Sequence, residues 1–265
     1  MFAPAKAIES LSQFADWVEK VGERFTKDGV QETPWFRGAG DCSYELIPGL
    51  YRTSAGCAKN ADDELRAEFS RKALPLVAER APRDKWEWYF LMQHYRAPTR
   101  LLDWTDSALV ALYFALASGA PGAAKEHPKP AVWAINPFTL NRQSGSDCPV
   151  SPGHELAQKY LPECYSGKTI PPFPIAIDPV LTDQRMLVQH SHFTVHGSDF
   201  RSIDAMQVEL NLGDDLLQVF VNCDVEGLRY LRAHLALMGI TETTVFPDLE
   251  GLARELRFEY DLDQP

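Results

Sequence analysis

Chemistry-bearing side chains concentrate in two short stretches of this sequence. In PWFRG, Arg37 follows two aromatics and precedes Gly38. A guanidinium presented from a short strand can grip a phosphate through two parallel hydrogen bonds, and a glycine lets a ligand approach the backbone. In HYRAPTRLLDWT, His94, Arg100, Asp103, Trp104 and Thr105 fall within about a dozen residues. A histidine there can act as acid, base or hydrogen-bond donor near neutral pH, an aspartate can stabilise developing positive charge, and an indole can wall a pocket. Each residue also has a structural use. Arg37 and Asp103 can form a buried ion pair that fixes two strands, Thr105 can cap a helix, Trp104 can fill a core and His94 can cap a helix end.

Other constellations are weaker. His190, His192 and His196 share one side of a straight strand, where three imidazoles could hold zinc, but the spacing is not that of a standard site. An exposed polar face is the expected arrangement, with no metal. There is no GxSxG elbow, and the five cysteines include no CxxC pair, which indicates reduced thiols rather than a disulfide framework or a zinc ribbon.

The elements that must position these groups can be read from periodicity. Ser10 and Gln13 make a capping pattern before the apolar stripe Leu11, Phe14, Ala15, Val18 and Val21, so the segment 1–30 is built on a helix. PWFRG reads as a strand, and helices are expected over 61–80 and from Asp84 to Tyr95, the latter stopped by Pro98. TRLLDWT suits a short buried strand running into the helix SALVALYFALA, capped by Thr105 or Asp106. AVWAI, RMLVQ, HFTVH, MQVEL and LLQVFVN read as further strands, with helices entered from Asp224 and Asp248. Residues 136–174 are rich in Pro, Gly and Ser and predict a long loop or mobile lid. This mixture predicts an α+β fold, one domain over 1–265, with a largely antiparallel sheet and flanking helices.

The chain has 265 residues, 45% of them hydrophobic, with 26 Lys+Arg against 37 Asp+Glu and a net charge of -11. Such a balance disfavours a non-specific binder of the nucleic-acid backbone, while leaving local basic sites open. Neither a leader-like N-terminus nor an apolar run of membrane-spanning length is present in the sequence, so a cytoplasmic protein without membrane contact is expected.

The segments WFRGAGDCSYELIPGLYR, LMQHYRAPTRLLDWTDSALVALYFALA, RMLVQHSHFT and MGITETTVFPDLEGLA together resemble the bacterial FRG-domain family, named for its Phe-Arg-Gly motif. They span almost the whole chain. Arg96 and Ser191 stand where that family usually has glycine. A looser likeness of layout links Arg37, and the strand-turn-helix around Asp103-Trp104-Thr105, to ADP-ribosyltransferases of the arginine–serine–glutamate class. That likeness implies an ADP-ribosyltransferase-like fold and NAD as the substrate. Arg37, Gly38, Trp104, Thr105, Arg100 and Arg185 would bind it, and Asp103, His94 and Gln189 would serve catalysis. The catalytic glutamate of that class has no counterpart in TDQRMLVQHSHFTV, so a carboxylate must come from Asp103, Asp183, Glu209 or Glu242. The resulting expectation is an NAD-using transferase or glycohydrolase, acting as a toxin or phage-defence effector on an acceptor protein or nucleic acid. The alternative is a catalytically silent module that binds a nucleotide or a partner.

Overall fold

The computed structural model describes residues 6–58, 60–77, 81–118, 129–161, 169–181, 184–260 and 262. In chain order the elements are β1 (Lys6–Ile8), α1 (Leu11–Arg24), β2 (Thr26–Lys27), β3 (Val30–Gln31), β4 (Trp35–Ala39), α2 (Ala61–Val77), α3 (Lys85–His94), β5 (Leu101–Thr105) and α4 (Ala108–Ser118). There follow β6 (Ala131–Ile135), α5 (Pro137–Arg142), α6 (Glu155–Gln158), β7 (Ile175–Ile177), α7 (Gln184–Val188), β8 (Ser191–Val195), β9 (Leu216–Val221), α8 (Val225–Leu237), α9 (Glu242–Val245) and α10 (Leu249–Glu259). Seven strands form one sheet in the order β1-β9-β6-β4-β5-β8-β7, antiparallel except where β1 meets β9. The fold is therefore α+β, as the mixed pattern predicts. No helix among the described residues is long and apolar enough to cross a membrane.

The sheet is covered in separate patches, and this division creates the site. Alternation along a strand sends successive side chains to opposite faces. On one face, Phe36 of β4, Val132 and Ala134 of β6 and Val219 of β9 pack with α1, α4 and α8. Leu101 of β5, Phe193 of β8 and Ile175 of β7 pack instead with Trp86, Tyr89 and Phe90 of α3 and with α6. Trp35, Leu102, Trp104, Trp133 and Ile135 make a third cluster with Ile203, Met206 and Leu216. The boundary between the first two clusters falls at β4 and β5. These strands share a single paired position, Phe36 opposite Thr105.

Gly38 fixes how closely α4 lies on the sheet. A Cβ at that position would come within 2.1 Å of the Ala111 carbonyl oxygen and 2.5 Å of the Ala115 nitrogen. The space at the Cβ position of this glycine thus belongs to a helix, while Gly38 itself still lines the cleft described below.

Local signals account for most elements. Ser10, Asp84, Asp224 and Asp248 each cap the helix they precede, with side-chain oxygens accepting backbone N–H groups. Ser107, rather than Thr105 or Asp106, caps α4: its Oγ accepts from Val110 N, while Thr105 Oγ1 accepts from Ser107 N at 3.0 Å in the preceding turn. Two strand expectations fail. RMLVQ lies largely in the short helix α7, and MQVEL forms turns whose Met206 and Leu210 are buried. Apolar runs this short do not distinguish strand from buried turn or helix.

The 136–174 stretch is not a free lid over its described part. Asn136 caps α5, Asn141 donates from Nδ2 to the Cys148 and Ala176 carbonyls, and Leu140, Val150, Ala157 and Tyr160 are buried. Side-chain amides satisfy backbone groups that periodicity cannot reveal.

Candidate functional site

A cleft of about 2070 Å³ opens where the first two core clusters part, lined on one side by Phe36, Tyr113 and Phe246 and on the other by Phe90, Leu101 and Phe193. Arg37, His94, Asp103, Thr105, Arg185 and Gln189 all line it, so residues separated by up to about 150 positions share one cavity. Among the described residues its lining carries eight arginines (Arg37, Arg52, Arg96, Arg185, Arg229, Arg232, Arg254, Arg257) and five carboxylates (Glu9, Asp103, Asp224, Glu226, Glu242). On a chain of net charge -11 this is a local inversion of sign. Cationic linings of this kind favour anionic ligands.

Beyond their one paired position, β4 and β5 diverge, and the Arg37 guanidinium reaches across the gap. Its Nη1 donates to the Asp103 carbonyl oxygen at 2.6 Å and lies 3.7 Å from Asp103 Oδ2. Burial lowers the Arg37 pKa from its ordinary value; Asp103 opposes that shift, and the charge of Arg52 adds to it. The Asp103 side chain is 58% exposed. It is nonetheless oriented, because Gln93 Nε2 donates to its Oδ2 at 2.8 Å and the buried Thr99 hydroxyl donates to Gln93 Oε1. The result is an open carboxylate with a fixed side, next to a largely buried cation. Gln93 escaped the sequence reading although it lies inside LMQHYRAPT; only the chain reversal at Arg96–Pro98 brings it against β5.

Other expected site residues divide between cleft and core. His94, at the end of α3, lines the cleft and sits edge-on to Tyr95. Gln189 lines it too, but its Nε2 donates to the Val245 carbonyl oxygen at 3.0 Å, tying α7 to α9. Arg185 lies over the Phe246 ring at 4.5 Å. Trp104 contributes little beyond its backbone, since its ring is buried in the third cluster and Nε1 donates to Thr194 Oγ1. The reading of Trp104 as a pocket-shaping platform is corrected accordingly.

Arg100 is corrected more completely. Its side chain is 1% exposed; Nε donates to Asp62 Oδ2 at 2.9 Å, Nη1 to the His196 carbonyl and Nη2 to the Tyr160 carbonyl. A fully buried ion pair is built at Arg100 with Asp62, while the Arg37–Asp103 pair considered from the sequence also forms across β4 and β5, open to the cleft on its Asp103 side.

The histidine face is exposed only at His190. His192 stacks on Trp35 at 4.5 Å and bonds Asp178, while His190 bonds Asp106 at 2.8 Å. His196 is wholly buried edge-on to Tyr51, its ring nitrogens unpartnered among the described residues, and burial with the nearby Arg100 charge lowers its pKa to about 3. Among the described residues no group of three His, Cys, Asp or Glu side chains could hold a metal ion.

Of the alternative carboxylates, Glu209 pairs with Arg201 away from the cleft lining, Glu242 lies in it, and Asp183 is outside the described residues. Glu242 is the buried member: Arg232 and Arg254 both donate to it, and the Tyr113 hydroxyl faces it, its pKa raised chiefly by burial and next by this carboxylate.

Comparison with known proteins gives one match. Residues 32–123 fit the family model described as FRG domain, a narrower span than the four resembling segments cover. No curated protein and no solved structure matches the chain. The stretch that matches the FRG-domain model supplies Arg37, Gln93, His94, Asp103 and Thr105 to the cleft.

Proposed function

We propose that the cleft binds a diphosphate-bearing nucleotide, with NAD as the leading candidate, and that Asp103 is the carboxylate that supports cleavage of its nicotinamide–ribose bond. The observation that carries this reading is the Arg37–Asp103–Gln93 group at the split between β4 and β5. Arg37 offers a planar donor edge to phosphate oxygens. The Asp103 carboxylate, oriented through Gln93 and Thr99, would face the positive charge that develops on the ribose as nicotinamide leaves. The proposed activity is ADP-ribosyltransferase-like or that of a glycohydrolase, and the proposed setting is an effector role in defence or toxicity.

The test is nicotinamide release from NAD by the intact chain and by Asp103→Asn, which retains the shape and can still bond Gln93. A loss of roughly a hundredfold to a thousandfold is expected when such a preorganised charge is removed. A second reading has its own observation: of the side chains expected to act on the ligand, Thr105 bonds the α4 turn, Trp104 the core and Gln189 the Val245 carbonyl. Under it the cleft is a nucleotide-sensing pocket, and NAD binds saturably without turnover.

A further inference from the structure

The far wall of the cleft is built from α8, α9 and α10, and its charges are held in an ordered way. The Glu242 side chain is 7% exposed; its Oε1 accepts from Arg232 Nη2 at 2.5 Å and its Oε2 from Arg254 Nε at 3.1 Å. Two guanidiniums share the one buried carboxylate, and the second carboxylate on Arg254, Glu250, is 79% exposed to screening solvent, so positive charge predominates at the buried end of the cluster. Their planes are fixed as well: Arg254 lies over Phe246 at 4.5 Å and Arg232 over Phe258 at 4.3 Å. Both side chains stay partly exposed, at 31% and 19%, and both line the cleft.

We propose that Arg232 and Arg254, splayed and held by Glu242, form a second subsite in this cleft that takes a phosphate group. The identity of the occupant rests on the nucleotide-binding reading above; the geometry of the subsite does not. A guanidinium has five donors in a fixed fork, and Glu242 uses one from each arginine, with Arg254 Nη1 going to Glu250 at 2.7 Å. The remaining donor edges can accept a tetrahedral anion in the two-armed manner arginines favour. A clamp that served only to join three helices would not require an opening onto the cavity. Space also permits a second group, because the cleft of about 2070 Å³ exceeds the roughly 300–1,000 Å³ of ordinary small-molecule pockets.

One phosphate chemistry can come from two sources: the nucleotide's own diphosphate, with one phosphate at Arg37 and the other at this pair, or a separate phosphorylated molecule such as a nucleic-acid strand. Nitrogen-15 spectra of the arginine Nε–H groups in the intact chain, titrated with pyrophosphate, NAD and a short single-stranded oligonucleotide, distinguish them. Pyrophosphate is expected to move the Arg232 and Arg254 resonances saturably, and Arg254→Gln to weaken that response by roughly tenfold or more while the Arg37 resonance still responds. NAD moving all three together assigns the subsite to one extended ligand. The oligonucleotide moving only the Arg232 and Arg254 pair, with NAD moving only Arg37, assigns it to a second molecule. If Arg37 stays still while the pair responds, the nucleotide reading fails and the subsite stands. If none of the three probes moves the pair in the wild-type chain, the subsite is refuted, whether or not the variant folds.

Discussion

At the residue scale, Arg37 in PWFRG and Arg100 in HYRAPTRLLDWT illustrate how identical chemistry takes opposite roles. Arg37 is 21% exposed with its fork at a cavity, whereas Arg100 is sealed under Asp62, Tyr160 and His196. Arg100→Met should therefore strand the buried Asp62 carboxylate and cost about 3–5 kcal/mol. With a few degrees lost per kcal/mol in a chain of this size, thermal unfolding should begin roughly 10 °C lower. A change of only one or two degrees would mean that the pair is not structural. Arg37→Lys should leave the melting temperature nearly unaltered, since it keeps the charge and the reach toward Asp103. His196 adds a pH signature. Its folded pKa is depressed to about 3 while the unfolded chain titrates near 6.5, so the unfolded state binds the extra proton. Its contribution to stability is complete above about pH 6.5 and is lost as pH falls from there toward 3. Urea unfolding of His196→Phe at pH 7.5, 5 and 4 should show a flatter decline than the parent; parallel curves would remove His196 as the cause.

At the element scale, backbone geometry shows what a glycine at position 96 would relieve. Arg96 follows α3 with φ of 59°, its N–H bonds the Gln93 carbonyl, and Ala97 N bonds the Met92 carbonyl, the left-handed closure that favours glycine. Arg96→Gly should therefore stabilise the chain by about 1 kcal/mol, seen as a higher urea midpoint. An unchanged or lower midpoint would show that the Arg96 side chain contributes more than its backbone costs. Gly38 carries the opposite expectation: Gly38→Ala drives a methyl into the α4 backbone, so a marked loss of folded protein by circular dichroism is expected, and wild-type stability would contradict the close approach. Helix starts were legible because Ser10, Asp84, Asp224 and Asp248 act locally. Strand against helix at 185–189, and the packing of the described residues between 136 and 161, were not legible, since Met186 and Asn141 owe their states to partners distant in sequence. The convergence of Arg37, His94 and Asp103 was legible from their polar character amid apolar strands; that Gln93 orients Asp103, and that Glu242 gathers two arginines, depends on tertiary folding alone.

At the scale of the whole molecule, an acidic protein concentrates arginines along one cavity at the seam between two core clusters. Bulk charge should repel polyanions from most of the surface while the seam attracts them, so ligand affinity should fall as salt is raised. Binding that is indifferent to salt between low and physiological ionic strength would argue for an apolar ligand. The most direct test of the central claim is a calorimetric titration of NAD into the parent chain and into Arg37→Lys, with melting temperatures taken alongside. The arrangement predicts saturable binding by the parent and an affinity lower by roughly tenfold or more in the variant at nearly equal melting temperature. Absence of saturable binding by the parent, or equal affinity in the two proteins, would contradict a nucleotide site built on Arg37.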